Sequence, residues 1–167
     1  MMNSVRRIVK RPAHFGLATV LLMVCFVVSC QTVTETKSVA DTGPLVDVAG
    51  LHCEYLETPA GIDVSRPRLG WRLEPKDPAF RGIRQTAYRI LVAGSEELLA
   101  QNRGDLWDSG VVESDRSTHV VYEGVPLRSR MRCYWKVRVR DNNGEFSGWS
   151  EPASWSMGLL KRSDWTA

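Results

Sequence analysis

A strict alternation of apolar and polar side chains runs from Arg130 to Arg140, in the segment RMRCYWKVRVR. A period of two is typical of a β-strand with one buried face and one solvated face. The residues that follow, DNNG at 141–144, favour a turn. The alternation then resumes in ASWSM at 153–157. The segment therefore predicts a hairpin with a somewhat long connection. The predicted buried face carries Met131, Cys133, Trp135, Val137 and Val139, and the solvated face carries Arg132, Tyr134, Lys136, Arg138 and Arg140.

The same alternation recurs in five other short segments, which are separated by turn residues. They are GLHCEYL (50–56), RLGWRLE (68–74), TAYRILV (86–92), LWDSGVV (106–112, with a bulge near Gly110) and THVVY (118–122). Their predicted inward residues are Leu51, Cys53, Tyr55, Leu69, Trp71, Leu73, Thr86, Tyr88, Ile90, Val92, Thr118, Val120 and Tyr122. A single helical turn is predicted at 95–100, capped by Ser95. About seven short strands indicate an all-β fold, an antiparallel two-sheet sandwich.

The first 30 residues have the pattern of an export signal. A basic start, RRIVKR at 6–11, precedes a mostly apolar run from Phe15 to Cys30. The run is shorter than the roughly 20 apolar residues that a membrane-spanning helix needs. A charged start, an apolar centre and a small residue before the break are typical of a signal peptide.

The break after this run resembles the lipobox of bacterial lipoproteins, with Val27, Val28 and Ser29 before Cys30. The resemblance implies that Cys30 becomes a lipidated first residue and anchors the chain to a membrane. Gln31 is not Asp, which by the same resemblance favours the outer membrane of a Gram-negative bacterium. The alternative is an ordinary secretory signal in which Cys30 has no special role.

These observations divide the chain into four parts. Residues 1–29 are predicted as a lipoprotein signal peptide, 30–46 as a flexible tether, 47–160 as the β-sandwich and 161–167 as the start of a following domain. Removal of the signal, which holds four basic residues and no acid, lowers the formal charge from +3 to −1. The basic pI of the whole sequence therefore gives no support for nucleic-acid binding.

The body of the chain contains GID…RPRLGWRL, RQTAYRILVA, LWDSG and WKVRV…GWSEP, in this order. In these motifs it resembles the N-terminal fibronectin type III-like sandwich of bacterial alpha-L-rhamnosidases, and the resemblance covers roughly 50–167. In that family, further β domains and an α/α-barrel with the catalytic carboxylates follow, whereas this sequence stops at SDWTA. The resemblance implies a non-catalytic scaffold domain, truncated before the catalytic barrel, whose partners are the downstream domains.

The sequence contains no convincing catalytic or metal site. Glycoside hydrolysis needs two carboxylates placed across a sugar, and the acids available here lie in turns or at strand ends. They are Asp105, Asp108, Glu113, Asp115, Asp141 and Glu145. His52 and His119 are predicted to be exposed, and no third ligand is spaced to form a metal site with them. We therefore predict no catalytic residue, no metal and no cofactor.

Cys53 and Cys133 both fall on inward positions of strands that we expect in opposing sheets. An exported protein meets an oxidising environment, so a disulfide is permitted. It would close a loop of about 80 residues and stabilise the fold by roughly 3–4 kcal/mol. Because stacked sheets lie about 10 Å apart, two separate buried thiols are the alternative.

The tryptophans divide into two groups. Trp71, Trp135 and Trp155 have core positions, whereas Trp107, Trp149 and Trp165 lie at strand ends or in loops. The second group can stack on a sugar or pack against a neighbouring domain. The alternative function is accordingly a stand-alone surface lipoprotein that binds a carbohydrate or a protein. The sequence leaves open whether the chain acts by itself.

Overall fold

The structure, a computed structural model, describes residues 43–165. The predicted signal peptide, Cys30 and almost all of the predicted tether lie outside the described residues. Eight strands and two short helices follow one another: β1 Val46–Cys53, β2 Arg68–Pro75, β3 Gln85–Ala93, α1 Glu96–Ala100, β4 Trp107–Asp108, β5 Val112–Glu113, β6 Val120–Val121, β7 Arg132–Asp141, β8 Ala153–Ser156 and a 3₁₀ helix Arg162–Trp165.

The strands form two antiparallel sheets, which confirms the predicted sandwich. One sheet has the order β1-β2-β6, and the other has the order β4-β3-β7-β8, with β5 also paired to β3. The inner faces enclose one main core. Trp71, Trp135 and Trp155 are at most 1% exposed and are among its largest side chains, as their positions predicted.

The strand count differs from the prediction because the segment 106–112 is two strands. Gly110 adopts a φ of +61°, a left-handed conformation that glycine adopts without strain. The chain breaks there into β4 and β5, and both pair with β3. The amide of Ser109 still donates to the carbonyl of Ile90 at 3.1 Å, so the interruption is a local bulge along one sheet edge.

Two predicted boundaries of the first strand are wrong. Val46, placed in the tether, is the first residue of β1 and is fully buried. Tyr55, predicted to point inward, lies beyond the end of β1 and is 63% exposed. Glu54 and Tyr55 have φ values of 47° and 68°, so the chain turns there and the period of two ends at Cys53.

The prediction that Thr86 and Thr118 point inward is also wrong. The register of β3 against β7 shifts between Gln85 and Ala87, so the buried side chain at the start of β3 is Gln85. Thr86 instead donates its hydroxyl to the carbonyls of Arg140 and Asp141 at 3.2 and 3.0 Å. Thr118 is exposed and precedes the two-residue strand β6. A bulge cannot be predicted from a regular alternation.

The predicted turn and helical turn are both present. The Asp141 carboxylate accepts a hydrogen bond of 2.8 Å from the amide of Asn143, as Asp does in turns. The Ser95 hydroxyl accepts from the amide of Leu98 at 3.3 Å and caps α1. Within residues 43–165, neither helix has the length and hydrophobicity that a bilayer crossing requires.

Candidate functional site

From Lys136 to Arg140 the outer face of β7 is covered, so the prediction of a solvated basic face is wrong there, whereas Arg132 is exposed as predicted. The segment after the turn runs back along β7, where the amides of Ser147 and Ser150 donate to the carbonyls of Val139 and Val137 at 2.8 and 2.9 Å. The two serine hydroxyls accept from the amides of the same two valines. This pairing fixes Phe146 and Trp149 against the basic residues of the strand.

Two aromatic rings from this segment stack with three cations of β7. Arg138 lies 4.7 Å from the ring centroid of Phe146 and 4.9 Å from that of Trp149. Lys136 lies over Trp149 at 5.1 Å and Arg140 over Phe146 at 5.9 Å. Such contacts contribute about 0.5–2 kcal/mol each, the more so when they are desolvated. We call this arrangement the cation–π stack.

The positive charges under the stack are compensated in part, while the buried Nε of Arg138 has no hydrogen-bond partner among the described residues. Arg89 lies directly opposite Arg138 in the sheet, a like-charge pair that is unfavourable by itself. Asp108 neutralises Arg89 at 2.6 Å. The Lys136 ammonium donates to Asn102 at 2.7 Å, and burial lowers the pKa of Lys136. The basic stripe is therefore part of the packing of the sheet.

The carboxylates considered for catalysis are used in ion pairs and turns. The Arg89 guanidinium holds the pKa of Asp108 below its usual range, and Glu113 pairs with Arg140. Asp105 accepts a hydrogen bond of 2.9 Å from the amide of Gly94. A general acid in glycoside hydrolysis needs a raised pKa. Among residues 43–165, the resolved carboxyl pKa shifts are all downward.

The two histidines have different surroundings. His119 is exposed, as predicted, and its ring nitrogen Nε2 lies 2.8 Å from the hydroxyl of Tyr55. His52 is half-buried, which the prediction missed, because its ring lies on the surface of Gly70, where a Cβ atom would come within 2.2 Å of Nε2. No group of three or more metal-ligating side chains occurs in the described part of the chain.

Cys53 and Cys133 are both fully buried, and both thiols are free in the structure. Burial raises the pKa of each thiol to about 12. Both side chains belong to the main core cluster. The disulfide between them stays a prediction.

The three loop tryptophans have different surroundings. Trp149 belongs to the cation–π stack. Trp107 is half-buried and packs edge to face on Tyr122, with 5.4 Å between the ring centroids. Trp165 is 72% exposed in the 3₁₀ helix. The structure therefore does not bring these three side chains together into one platform.

A crevice of about 460 Å³ opens where the β4–β5 edge of one sheet approaches β6 of the other. We call it the edge crevice. Trp107 and Tyr88 contribute aromatic surface to it, and Asp108, Ser109, Ser114, Arg116 and Glu123 contribute polar groups. Sequence reasoning singled out Trp107 but missed Tyr88 and Arg116. The residues that line the crevice come from four separate segments of the chain, so no local motif could have pointed to this site.

Comparison with known proteins places the chain in a family. The family model described as "Rha78A-like, N-terminal immunoglobulin domain" matches residues 48–161, which is nearly the whole described body. The chain belongs to this family. The match agrees with the immunoglobulin-like sandwich found in the structure.

The similar proteins are much longer than this chain. An alpha-L-rhamnosidase of Streptomyces avermitilis is 46% identical over 114 residues, which are 68% of this chain and 11% of that protein. An alpha-L-rhamnosidase of Formosa agariphila is 38% identical over 149 residues, 89% of this chain and 15% of that protein. The chain therefore spans 11–15% of the length of these relatives.

Solved structures of alpha-L-rhamnosidases contain the same fold. The crystal structure of the Streptomyces avermitilis enzyme complexed with L-rhamnose superposes with a TM-score of 0.67 and 43% identity, covering 73% of this chain and 11% of that one. The enzyme from Dictyoglumus thermophilum superposes with a TM-score of 0.68 and 32% identity, covering 72% and 13%.

Proposed function

We propose that this chain is the non-catalytic N-terminal scaffold domain of an exported alpha-L-rhamnosidase. The observation that carries the proposal is the family match over residues 48–161. It is supported by similar proteins that are named alpha-L-rhamnosidase, of whose length the chain spans 11–15%. The complete enzyme would hydrolyse terminal L-rhamnose from glycans. Its catalytic carboxylates would lie in the part of such an enzyme that this chain does not match.

The electrostatics of the body support a role without catalysis. Glu54, Asp108, Glu113 and Glu123 each form an ion pair with an arginine. For Glu54 and Asp108, the arginine partner lowers the pKa of the carboxyl group, whereas the proton donor of a glycosidase needs a raised pKa.

The last described segment is held in a fixed direction where the chain leaves the sandwich, which supports a scaffold role. The amide of Arg130 donates to the carbonyl of Gly158 at 3.1 Å, and the amide of Leu160 donates to the hydroxyl of Ser129 at 2.8 Å. The same hydroxyl bonds to the Asp164 carboxylate. These contacts hold the chain against the sandwich up to the exposed Trp165, which would then pack on the following domain.

Beside this segment lies a groove that suits the same role. Its volume is about 810 Å³, and its walls include Leu106, Val125, Leu127, Met131 and Leu160. Val125 is 46% exposed. An apolar groove next to the exit of the chain would bury surface against a downstream domain.

The signal-like start supports export and anchoring. The Val27–Cys30 pattern and Gln31 are the basis for proposing lipidation at Cys30 and attachment to the outer membrane of a Gram-negative bacterium. Expression of the chain in such a host tests this: the wild type should fractionate with the membrane, and Cys30→Ala should not. Equal fractionation of the two would contradict the lipid anchor.

The activity proposal is tested with a chromogenic α-L-rhamnoside. The purified 167-residue chain should give no turnover above that of a buffer blank. Turnover that co-purifies with the chain, scales with its concentration and falls in Asp108→Asn would overturn the scaffold assignment.

A further inference from the structure

The edge crevice has the size and make-up of a site for a small polar molecule. Ligand sites in proteins have volumes of about 300–1,000 Å³ and combine aromatic walls with a few convergent polar groups. The edge crevice, at about 460 Å³, lies in this range. It is separate from the groove beside the 3₁₀ helix, because no residue lines both.

The aromatic wall is held rigidly before any ligand arrives. Trp107 contacts Tyr122 edge to face. The 124 position is a glycine, and a Cβ atom there would lie 2.6 Å from Cβ of Trp107 and 2.3 Å from the carbonyl oxygen of Leu106. The loop therefore fits closely behind Trp107. A ring fixed in this way loses little entropy on binding.

Tyr88 supplies a buried hydrogen-bonding group at the same wall. Its ring packs against Trp71 at 5.3 Å, and the side chain is only 8% exposed, yet it lines the crevice. Burial raises the pKa of the phenol, and the charges of Arg116 and Glu123 act on it in opposite directions. The hydroxyl therefore remains a hydrogen-bond donor at neutral and mildly alkaline pH.

The charges of the crevice favour a neutral ligand. Asp108 is paired with Arg89 at 2.6 Å and Glu123 with Arg66 at 3.2 Å. Arg116 takes part in none of the ion pairs found within residues 43–165, so it offers its donors to the crevice. An anion would meet two carboxylates there, and a cation would meet Arg116. A molecule with several hydroxyls and one apolar face meets neither penalty.

We propose that the edge crevice binds one sugar residue of a neutral glycan. Trp107 provides the surface for the apolar face of the sugar ring, and Tyr88 and Arg116 donate hydrogen bonds to its hydroxyls. The Ser114 hydroxyl, which already accepts from the amide of Arg116 at 3.1 Å, retains its own proton to donate. The proposal does not depend on the scaffold role, because the site lies entirely within this chain.

The test is an NMR titration of the ¹⁵N-labelled chain with L-rhamnose, with methyl α-L-rhamnoside and with D-glucose. We expect saturable shifts of the Trp107 indole signal, with a Kd on the order of 1 mM for at least one of these sugars. Equal affinity for all three would still support a neutral-sugar site, without selectivity. A flat titration with all three up to about 100 mM would overturn the proposal.

Two variants distinguish the crevice from nonspecific binding. Tyr88→Phe removes only the hydroxyl, and Arg116→Ala removes an exposed side chain while its carbonyl, which accepts from Gln85 at 2.9 Å, remains. Each should weaken binding about tenfold, as the loss of a buried or charged hydrogen bond does. Arg132→Ala, on the exposed start of β7, is the control and should leave Kd unchanged.

Shifts that centre on Trp165, or a Kd that stays the same in both crevice variants, would also refute the site. Neither result would affect the scaffold proposal, which the activity assay tests separately.

Discussion

The indole Nε1 of Trp71 donates a hydrogen bond of 2.9 Å to Oε1 of Gln85 in the core, and so links the two sheets. The amide nitrogen of Gln85 donates in turn to the carbonyls of Ser114 and Arg116 at 3.0 and 2.9 Å. One buried side chain thus satisfies an indole and two main-chain carbonyls of the connection after β5.

Gln85→Met should therefore destabilise the domain strongly although the volume is nearly kept. The indole and the two carbonyls would lose their partners, and a buried polar group without a partner costs about 1–3 kcal/mol. We expect a loss of about 2–4 kcal/mol in the free energy of unfolding, measured by urea titration. Arg84→Ala, at the exposed neighbouring position, should change it by less than about 0.5 kcal/mol. Similar values for both variants would contradict the role of Gln85.

Asp141 joins the turn after β7 to the start of the first strand. Its Oδ2 accepts from the amide of Leu45 at 2.7 Å, and its Oδ1 accepts from the amides of Asn143 and Glu145 at 2.8 and 3.3 Å. Asp141→Asn keeps the size but replaces one acceptor by a donor. We expect a loss of about 1–3 kcal/mol in thermal or urea unfolding, and amide exchange should rise first at Leu45. Glu145→Gln, on an exposed side chain of the same turn, is the matched control.

Much of the sandwich can be predicted from the sequence because its core strands alternate regularly. In β7, the alternation places Cys133, Trp135, Val137 and Val139 on the apolar face, and all four are fully buried. The capped turn at Ser95 and the turn at Asp141 are equally local. Such signals depend only on neighbouring residues.

The rest depends on contacts between distant segments. Lys136 is only 7% exposed because Trp149 folds back over it, and alternation along β7 cannot reveal that covering. The inward position of Gln85 follows from a bulge. The edge crevice combines Tyr88 of β3 with Arg116 of a later loop, and only the pairing of the sheets brings them together.

The cation–π stack should have a measurable coupling energy. In a double-mutant cycle with Arg138→Met and Trp149→Leu, we expect a coupling of about 0.5–2 kcal/mol in the free energy of unfolding. Arg132 and Tyr134, in contact at 5.3 Å on the more exposed part of the same strand, form the control pair. Their coupling should lie at the lower end of this range. A coupling near zero for Arg138 and Trp149 would show that the stack is only a geometric coincidence.

The two core cysteines should be unreactive in the folded protein. Because burial raises the pKa of Cys53 and Cys133 to about 12, almost no thiolate is present near neutral pH, and the thiolate is the reactive form. In protein prepared with reductant, a thiol reagent should modify neither residue before unfolding and both after it. If unfolded protein prepared without reductant has neither thiol, the predicted disulfide is established. Fast modification of the native protein would contradict the burial.

Alkaline pH should weaken the fold through the same groups. The thiols of Cys53 and Cys133 and the phenols of Tyr88 and Tyr122 all have pKa values raised by burial. As pH rises, the unfolded chain releases these protons before the folded one, so unfolding becomes more favourable. For the thiols, the stability is fully present below their ordinary pKa of 9.0 and is lost as pH rises toward about 12.

Urea titrations at about pH 8 and about pH 10 should then differ by about 2–3 kcal/mol in the free energy of unfolding, since each pKa unit corresponds to about 1.4 kcal/mol per group. In a Cys53→Ala/Cys133→Ala variant, only the tyrosines remain, and their ordinary pKa lies higher than that of the thiols. The decrease between the two pH values should therefore become smaller. An unchanged decrease would assign the alkaline effect to groups other than the two thiols.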